Sequence, residues 1–333
     1  MRRSLLWLLA VAAAVIPPPA RGQTEPTHVL RLATQMPRTP IGRRGLARWN
    51  RRLAELTDGR LQVQMYWGGA MGNERTMVRR LRIAALDGAS LTSMGLGMIH
   101  RPVMVMQAPG VFSTYAQVDA VRADIGPELA RGIESEGFHL LGFGDAGRVR
   151  LFSQGRPVQR PADLRRMRPW VPRSDSIFRQ VLHEAGANGV PLSVGEVFGS
   201  LRTHTIDVVP STAIAAAGLQ WFTSLDHVTA GSDGFLIGGM VVRQGFVDGL
   251  SQADRDALDQ SATENHERLL RGIRRGDERA YQALLRRGLS PVDTEPYRSE
   301  WEQLARRTRR ALVGRVYPSA LLARVERVAG AAR

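Results

Sequence analysis

The chain has 333 residues, no cysteine and a formal net charge of +15 at neutral pH. All 46 of its Lys/Arg positions are arginine, which excludes Schiff-base chemistry, a Ser–Lys dyad and a phosphate-loop lysine. The missing cysteines exclude disulfides, thiolate nucleophiles, sulfur-ligated metals and a lipid anchor on cysteine. The length is typical of two domains.

The amino terminus predicts a cleaved signal peptide over residues 1–22. Arg2 and Arg3 precede an apolar run from Leu5 to Ile16, which is too short to span a bilayer stably. Small residues then flank Arg21, so cleavage is expected before Gln23. An uncleaved membrane anchor is the alternative. The predicted compartment is the periplasm.

The strong positive charge does not predict a nucleic-acid partner. The arginines are scattered over helices without interleaved aromatic residues, and a periplasmic protein does not meet DNA. Solvated helix faces are the simplest interpretation. Attraction to anionic lipid headgroups or to an acidic transporter face remains open.

The first third of the chain alternates between strand and helix patterns. Strands are predicted at Val29–Thr34 and Leu61–Trp67, and a helix at Ile41–Thr57 between them. A Gly-rich turn then opens a helix that reaches about Asp87, and GASLTSMGLGM reads as a third strand and turn. This alternation predicts a parallel α/β sheet.

The central part of the chain predicts two crossings between lobes. Phe138–Phe143 and Arg148–Ser153 are interpreted as two separate strands, and Phe235–Val242 as the strand that returns. Between them a short strand, Met167–Pro172, leads into a helix at Ser176–Ala185. Helices follow to the end of the chain, and their expected bounds are Ser251 to Gly288, Glu295 to Val313 and Pro318 to Ala329.

Two segments resemble a known family. ADLRRMRPWVP…EAGANGVPLSVGEVFGSLRTHTIDVV and TPIGRRGLARWNRRLAELTDGRLQVQMYWGGAMGN resemble the solute receptors of TRAP (tripartite ATP-independent periplasmic) transporters. The resemblance implies an α/β, two-lobed periplasmic binding protein, type II-like, with hinge strands and a long C-terminal helical segment. The expected first lobe is 23–150, the second lobe is 151–234, and 235–333 returns to the first lobe and adds the C-terminal helices.

The resemblance also implies a function. The chain would capture a small organic solute between its lobes and deliver it to TRAP membrane permease subunits, as a monomer or a homodimer, without a cofactor. A periplasmic sensing subunit and a secreted hydrolase are the alternatives. The hydrolase is not favoured, because no GxSxG or HExxH motif occurs and the seven histidines are dispersed. Gly142–Gly147 matches GxGxxG, but a strand follows it where a dinucleotide site needs a helix.

We expect ligand-binding residues just beyond the carboxyl ends of the strands. The resemblance to the family implies others. The resemblance departs at its carboxylate-binding arginine, where this chain has Trp170. Two interpretations stay open: an apolar or aromatic ligand, which is preferred, or another arginine in the same role. Three arginines are candidates for that role: Arg148, Arg150 and Arg168. The other expected ligand residues are Gln35, Trp67, Ser174, Asp175, Ser211 and Trp221. No metal site is expected.

Overall fold

The computed structural model describes residues 26–231 and 234–332. The predicted signal peptide, 1–22, lies outside them. The strands are β1 (His28–Thr34), β2 (Leu61–Tyr66), β3 (Gly88–Thr92), β4 (Phe138–Ser153), β5 (Trp170–Pro172), β6 (Val190–Leu192), β7 (Val208–Ser211), β8 (His227–Thr229), β9 (Gly234–Arg243) and β10 (Ser290–Val292).

The helices lie between these strands and in the last third of the chain. They are α1 (Pro40–Thr57), α2 (Glu74–Arg82), α3 (Ser93–Leu96), α4 (Tyr115–Glu134), α5 (Ser176–Ala185), α6 (Val194–Arg202), α7 (Ala213–Gly218), α8 (Gln244–Asp248), α9 (Gln252–Arg286), α10 (Arg298–Leu312) and α11 (Ser319–Ala331). Short 3-10 helices occupy Arg101–Gln107, Pro161–Arg166, Trp221–Ser224 and Glu295–Tyr297.

The main sheet is mixed, so the prediction of a parallel sheet was only partly right. Strands β2, β1 and β3 pair in parallel, but β9 inserts antiparallel between β3 and β4. Beyond the crossing, β4 continues beside β7 and β8, and β10 forms the edge. The return strand β9 must run against β4 because both cross between the lobes in opposite directions.

The prediction of two strands around 138–153 was wrong, because β4 is continuous. It pairs with β9 through Val149 and with β7 from Arg150, so one strand carries the chain from the first lobe to the second. Its register shifts between Leu140 and Gly142 and again between Asp145 and Arg148. The GxGxxG sequence lies inside this strand, and the bulges explain its glycines, since Gly147 has φ of +120°.

Local signals explain where several helices begin and end. Thr39 caps α1 by accepting a hydrogen bond from the backbone N–H of Gly42, and Asp58 ends the helix in the left-handed region. Helix α5 has the bounds that its sequence predicts. Helix α2 ends at Arg82, not near Asp87, because Ala84 turns left-handed with φ of +57° ahead of β3.

Helix α4 was not predicted at all. Thr114 and Gln117 form a capping box at its start, and Pro127 lies within it. Its buried face, which includes Val118, Val121 and Ile125, packs in the core of the first lobe. The proline interrupts the sequence pattern of a helix, whereas packing against that core retains the helix in the fold.

Helix α9 joins the two lobes. It packs along α1 and β4 in the first lobe and along α7 in the second. The Trp49 indole N–H donates to the Ser261 hydroxyl at 3.0 Å, which fixes α1 on α9. Within the described residues, no helix is long and apolar enough to cross a membrane. The predicted two-lobed α/β fold with hinge strands and a long C-terminal helical segment is confirmed.

Candidate ligand-binding site

Arg150 is a buried arginine at the first position of β4 beyond the crossing. It pairs in register with Ser211 of β7, and the residue is 3% exposed. Its guanidinium lies 4.0 Å from the centre of the Tyr281 ring of α9. The Nε and Nη1 atoms of Arg150 are buried and have no hydrogen-bond acceptor. The fold therefore holds a positive charge with unused donors between β4, β7 and α9.

Asp277 lies beside Arg150 but does not satisfy these donors. Its carboxylate accepts from the backbone N–H groups of Arg148 and Ile214, each at 3.0 Å. The nearest contact to Arg150 is 3.6 Å from Nη1 to Oδ2, which is too long for a hydrogen bond. Burial raises the pKa of Asp277, and the backbone donors oppose that rise. The Asp277 oxygens are thus committed to the main chain.

The unused donors of Arg150 are suited to an anionic ligand. A buried donor without an acceptor costs about 1–3 kcal/mol, and more when it is charged. A carboxylate recovers that cost and matches the planar fork of a guanidinium. Ser211, on the neighbouring strand, places its hydroxyl near the same position in the sheet, although in this structure it donates to the Thr212 carbonyl.

The other two candidate arginines have different surroundings. Arg148 lies 5.2 Å from the Tyr115 ring centre and 5.0 Å from that of Phe235, and it donates to the Ser113 carbonyl. Arg168 is exposed and bonds to Asp207 at the surface. Arg168 is therefore an exposed arginine that already has a partner, while Arg148 is two residues from Arg150 on the same strand.

Trp170 and Trp221 pack together in the core of the second lobe. Their ring centres are 5.4 Å apart in an edge-to-face arrangement, and Trp170 is 5% exposed. The Trp170 indole N–H donates to the Leu192 carbonyl at 3.0 Å. The donor of this side chain is therefore already used inside the protein, and the pair contributes apolar packing.

Acidic side chains face each other across the lobes. Glu74 begins α2 in the first lobe and accepts from the Thr92 hydroxyl at 2.8 Å, while Asp175 caps α5 in the second lobe. Burial raises the pKa of Glu74, and the charge of Asp175 adds to the rise. Ser174 and Gln35 are half-buried beside α5 and after β1 respectively. The carboxylate oxygens of Glu74 and Asp175 are acceptors for hydrogen bonds that the hydroxyl groups of a ligand donate.

Trp67, another expected ligand residue, is not among the described residues that contact Arg150, Glu74 or Asp175. It contacts α1 near Gly42 and lines a separate cavity beside α9. Sequence reasoning also missed Asp277 and Tyr281, because a mid-helix aspartate and tyrosine carry no local signal. Glu74 could have been found, since it follows the turn after β2. Among the described residues, no group of three or more His, Asp or Glu is placed to hold a metal ion.

Comparison with known proteins identifies the family. Residues 32–312 match the family DctP, described as bacterial extracellular solute-binding protein, family 7. The chain belongs to this family. A solute-binding protein of Chromohalobacter salexigens is 24% identical over 227 residues, which cover 68% of this chain and 67% of that protein. The family resemblance found in the sequence is thereby confirmed, whereas a subgroup defined by Trp170 stays a prediction.

Two further proteins that are similar to this chain are described by their ligands. The 2,3-diketo-L-gulonate-binding periplasmic protein of Escherichia coli is 26% identical over 234 residues, covering 67% of this chain and 69% of that protein. The galactonate complex of a sugar acid binding protein from Advenella mimigardefordensis superposes with a TM-score of 0.86 at 17% identity, covering 93% of this chain and 99% of that one. The chain is a solute receptor of the TRAP type and not an enzyme.

Proposed function

We propose that this receptor binds a hydroxylated organic acid, with the carboxylate on Arg150 and the hydroxyl groups towards Glu74 and Asp175. The observation that carries the proposal is the pair of buried Arg150 nitrogens without acceptors. Ser211 on the adjacent strand is a further donor for the same carboxylate. Gln35 and Ser174 extend the polar surface on either side of the lobe junction.

The relatives support this class of ligand. One is named for binding 2,3-diketo-L-gulonate and another holds galactonate, and both compounds pair one carboxylate with several oxygens. The preference for an aromatic ligand rested on Trp170. Its N–H is committed to Leu192 and its ring packs on Trp221, so this preference loses its support.

Closure of the lobes is the proposed mechanism of capture. A ligand that contacts Glu74 in the first lobe and Ser211 or Asp175 in the second stabilises the closed state, because both contacts form only when the lobes meet. Arg150 lies at the boundary between the two lobes. The proposed lobes are residues 23–150 with the return at 235–333, and 151–234. The closed form is then delivered to the permease after secretion with cleavage before Gln23.

Calorimetric titration of the purified receptor tests the proposal. Galactonate and glucuronate are compared with benzoate and with the neutral polyol galactitol. We expect the hydroxylated acids to bind, and Arg150→Met to weaken them about 100-fold or more, since two charge-assisted hydrogen bonds are lost. Arg168→Met removes the same charge from the surface and serves as the control.

Two results would contradict the proposal. One is equal affinity for the sugar acids in the Arg150→Met and wild-type proteins, which would mean that another donor, such as Arg148, binds the carboxylate. The other is binding of benzoate but of neither sugar acid, which would restore the apolar interpretation of Trp170.

A further inference from the structure

Helix α9 carries a row of exposed arginines along one side. The row, called here the α9 stripe, consists of Arg268, Arg271, Arg275, Arg279 and Arg286, all of which are exposed. At 3.6 residues per turn these five positions fall within about 80° of arc around the helix axis. The helix rises about 27 Å between the first and the last of them. The side chains therefore form one straight, positively charged edge.

The α9 stripe has almost no counter-charge within the protein. Among the described residues, Arg271 is the one member with an ion pair, at 3.8 Å from Glu267. The other acids of this part of α9 are used elsewhere, since Asp277 is buried and Glu278 lies 3.7 Å from Arg150. Like charges at positions i and i+4 of a helix repel each other, so the stripe lowers the stability of α9. An opposing charge outside the chain would compensate this repulsion.

Helix α1 extends the positive surface. It packs against α9, and the Arg52 guanidinium bonds to Glu264 of α9 at 3.0 Å. Arg44 and Arg51 are exposed on α1, and Nε of the half-buried Arg48 has no hydrogen-bond acceptor. Helical spacing places these three arginines on one side of α1, and none of them forms an ion pair with another described residue. Two adjacent helices therefore present unpaired guanidinium groups.

The composition of the α9 stripe favours a lipid surface over a protein as its partner. The exposed positions of α9 from 268 to 286 are arginine, glutamate or glutamine, with no apolar side chain among them. A stable protein interface has an apolar or aromatic centre, and a helix that inserts into a bilayer has an apolar face. A charged edge with neither feature suits a flat layer of phosphate groups, which guanidinium groups bind with two hydrogen bonds.

We propose that the α9 stripe, together with the unpaired arginines of α1, holds this receptor on the surface of an anionic phospholipid membrane. The association is electrostatic and peripheral, because guanidinium groups bind the headgroup phosphates and no side chain enters the hydrocarbon. A receptor confined near the membrane meets a membrane permease more often than one that diffuses freely. This role goes beyond the capture of an organic acid and does not depend on which ligand is bound.

Flotation of the purified receptor with lipid vesicles tests the proposal. One set of vesicles contains equal parts of phosphatidylglycerol and phosphatidylcholine, and the other contains phosphatidylcholine alone. We expect the receptor to float with the anionic vesicles only. High salt should abolish this binding, because the Debye length falls to about 3 Å at an ionic strength of about 1 M. Poly-glutamate is the probe for an acidic protein surface.

A triple variant removes most of the α9 stripe. It combines Arg275→Gln, Arg279→Gln and Arg286→Gln, and it should bind the anionic vesicles about 100-fold more weakly, since each basic residue near such a surface contributes about fivefold. Glutamine is a good helix former and the variant loses like-charge neighbours, so it should unfold at no lower temperature than wild type. Its affinity for galactonate should be unchanged, which separates this proposal from the one for Arg150.

A second triple variant loses the same charge from scattered positions. It combines Arg75→Gln, Arg131→Gln and Arg202→Gln, which lie exposed on α2, α4 and α6. We expect it to weaken binding to the anionic vesicles less than about fivefold, because these arginines are not in one row. Equal weakening in the two triple variants would show that net charge alone attracts the protein, and would overturn the proposal. So would the absence of vesicle binding, equal binding to both sets of vesicles, or binding to poly-glutamate without binding to vesicles.

Discussion

The carboxylate of Asp277 accepts a 3.0 Å hydrogen bond from the backbone N–H of Arg148, 129 residues earlier in the chain. The same carboxylate accepts from the Ile214 N–H at the start of α7. One side chain of α9 therefore ties the crossing strand to the second lobe. Gly147 permits this approach, because a Cβ there would lie 2.5 Å from Asp277 Cγ.

Asp277→Asn should lower the free energy of unfolding by about 1–3 kcal/mol. An asparagine turns one N–H₂ group towards a backbone donor and leaves a buried amide unpaired. Chemical denaturation measures the change. Glu267→Gln, at an exposed position of the same helix, is the matched control and should stay within about 0.5 kcal/mol. Equal effects of the two variants would mean that Asp277 does not hold the hinge.

Trp170→Ala should cost about 3–5 kcal/mol of stability, because it empties a large site in the core of the second lobe. Trp170→Phe keeps a ring against Trp221 and should cost less. Affinity for a sugar acid should survive in the phenylalanine variant, since the indole N–H is bonded to Leu192. Thermal unfolding and calorimetric titration are measured on both. If Trp170→Phe lost affinity for the sugar acid while its stability was unchanged, Trp170 would have to contact the ligand.

The His139–Asp259 pair should stabilise the fold at acidic pH. The Asp259 carboxylate accepts a 2.6 Å hydrogen bond from Nε2 of His139, which raises the pKa of His139, and burial opposes that rise. A raised folded pKa gives stability that is present below the unfolded value of about 6.5 and is lost as pH rises through the folded value. Burial lowers the pKa of His266, which contributes in the opposite sense.

The contribution of His139 is isolated by comparing wild type with His139→Gln at several pH values. The wild-type advantage should be about 0.2–1 kcal/mol near pH 5.5 and should shrink towards pH 8.5. Asp259→Asn should remove the same pH dependence, while His183→Gln, at an exposed position, should leave it unchanged. An advantage that grows with pH would show that the pair does not favour protonated His139.

Several local elements follow from the sequence because their signals are local. Helix α5 has the expected bounds, since Asp175 caps its start and Gly186 accepts the left-handed conformation at its end. Helix α9 also begins beside its capping residue, Ser251. Helix α4 was not predicted, because Pro127 interrupts the helical pattern of its sequence. The continuity of β4 was not predicted, because bulges near its glycines break the alternation of inward and outward side chains that is typical of a strand.

The sequence by itself determined the family, the two-lobed architecture and the receptor function, because motif order and helix–strand alternation survive in one dimension. It also nominated Arg148, Arg150 and Arg168 as candidate partners for a ligand's carboxylate. Only the tertiary structure shows how their surroundings differ. Arg150 is buried against Tyr281 while Asp277 is committed to backbone donors, and Trp170 is in a core. The contacts of Arg150 and Asp277 join residues more than a hundred positions apart, and no local propensity encodes them.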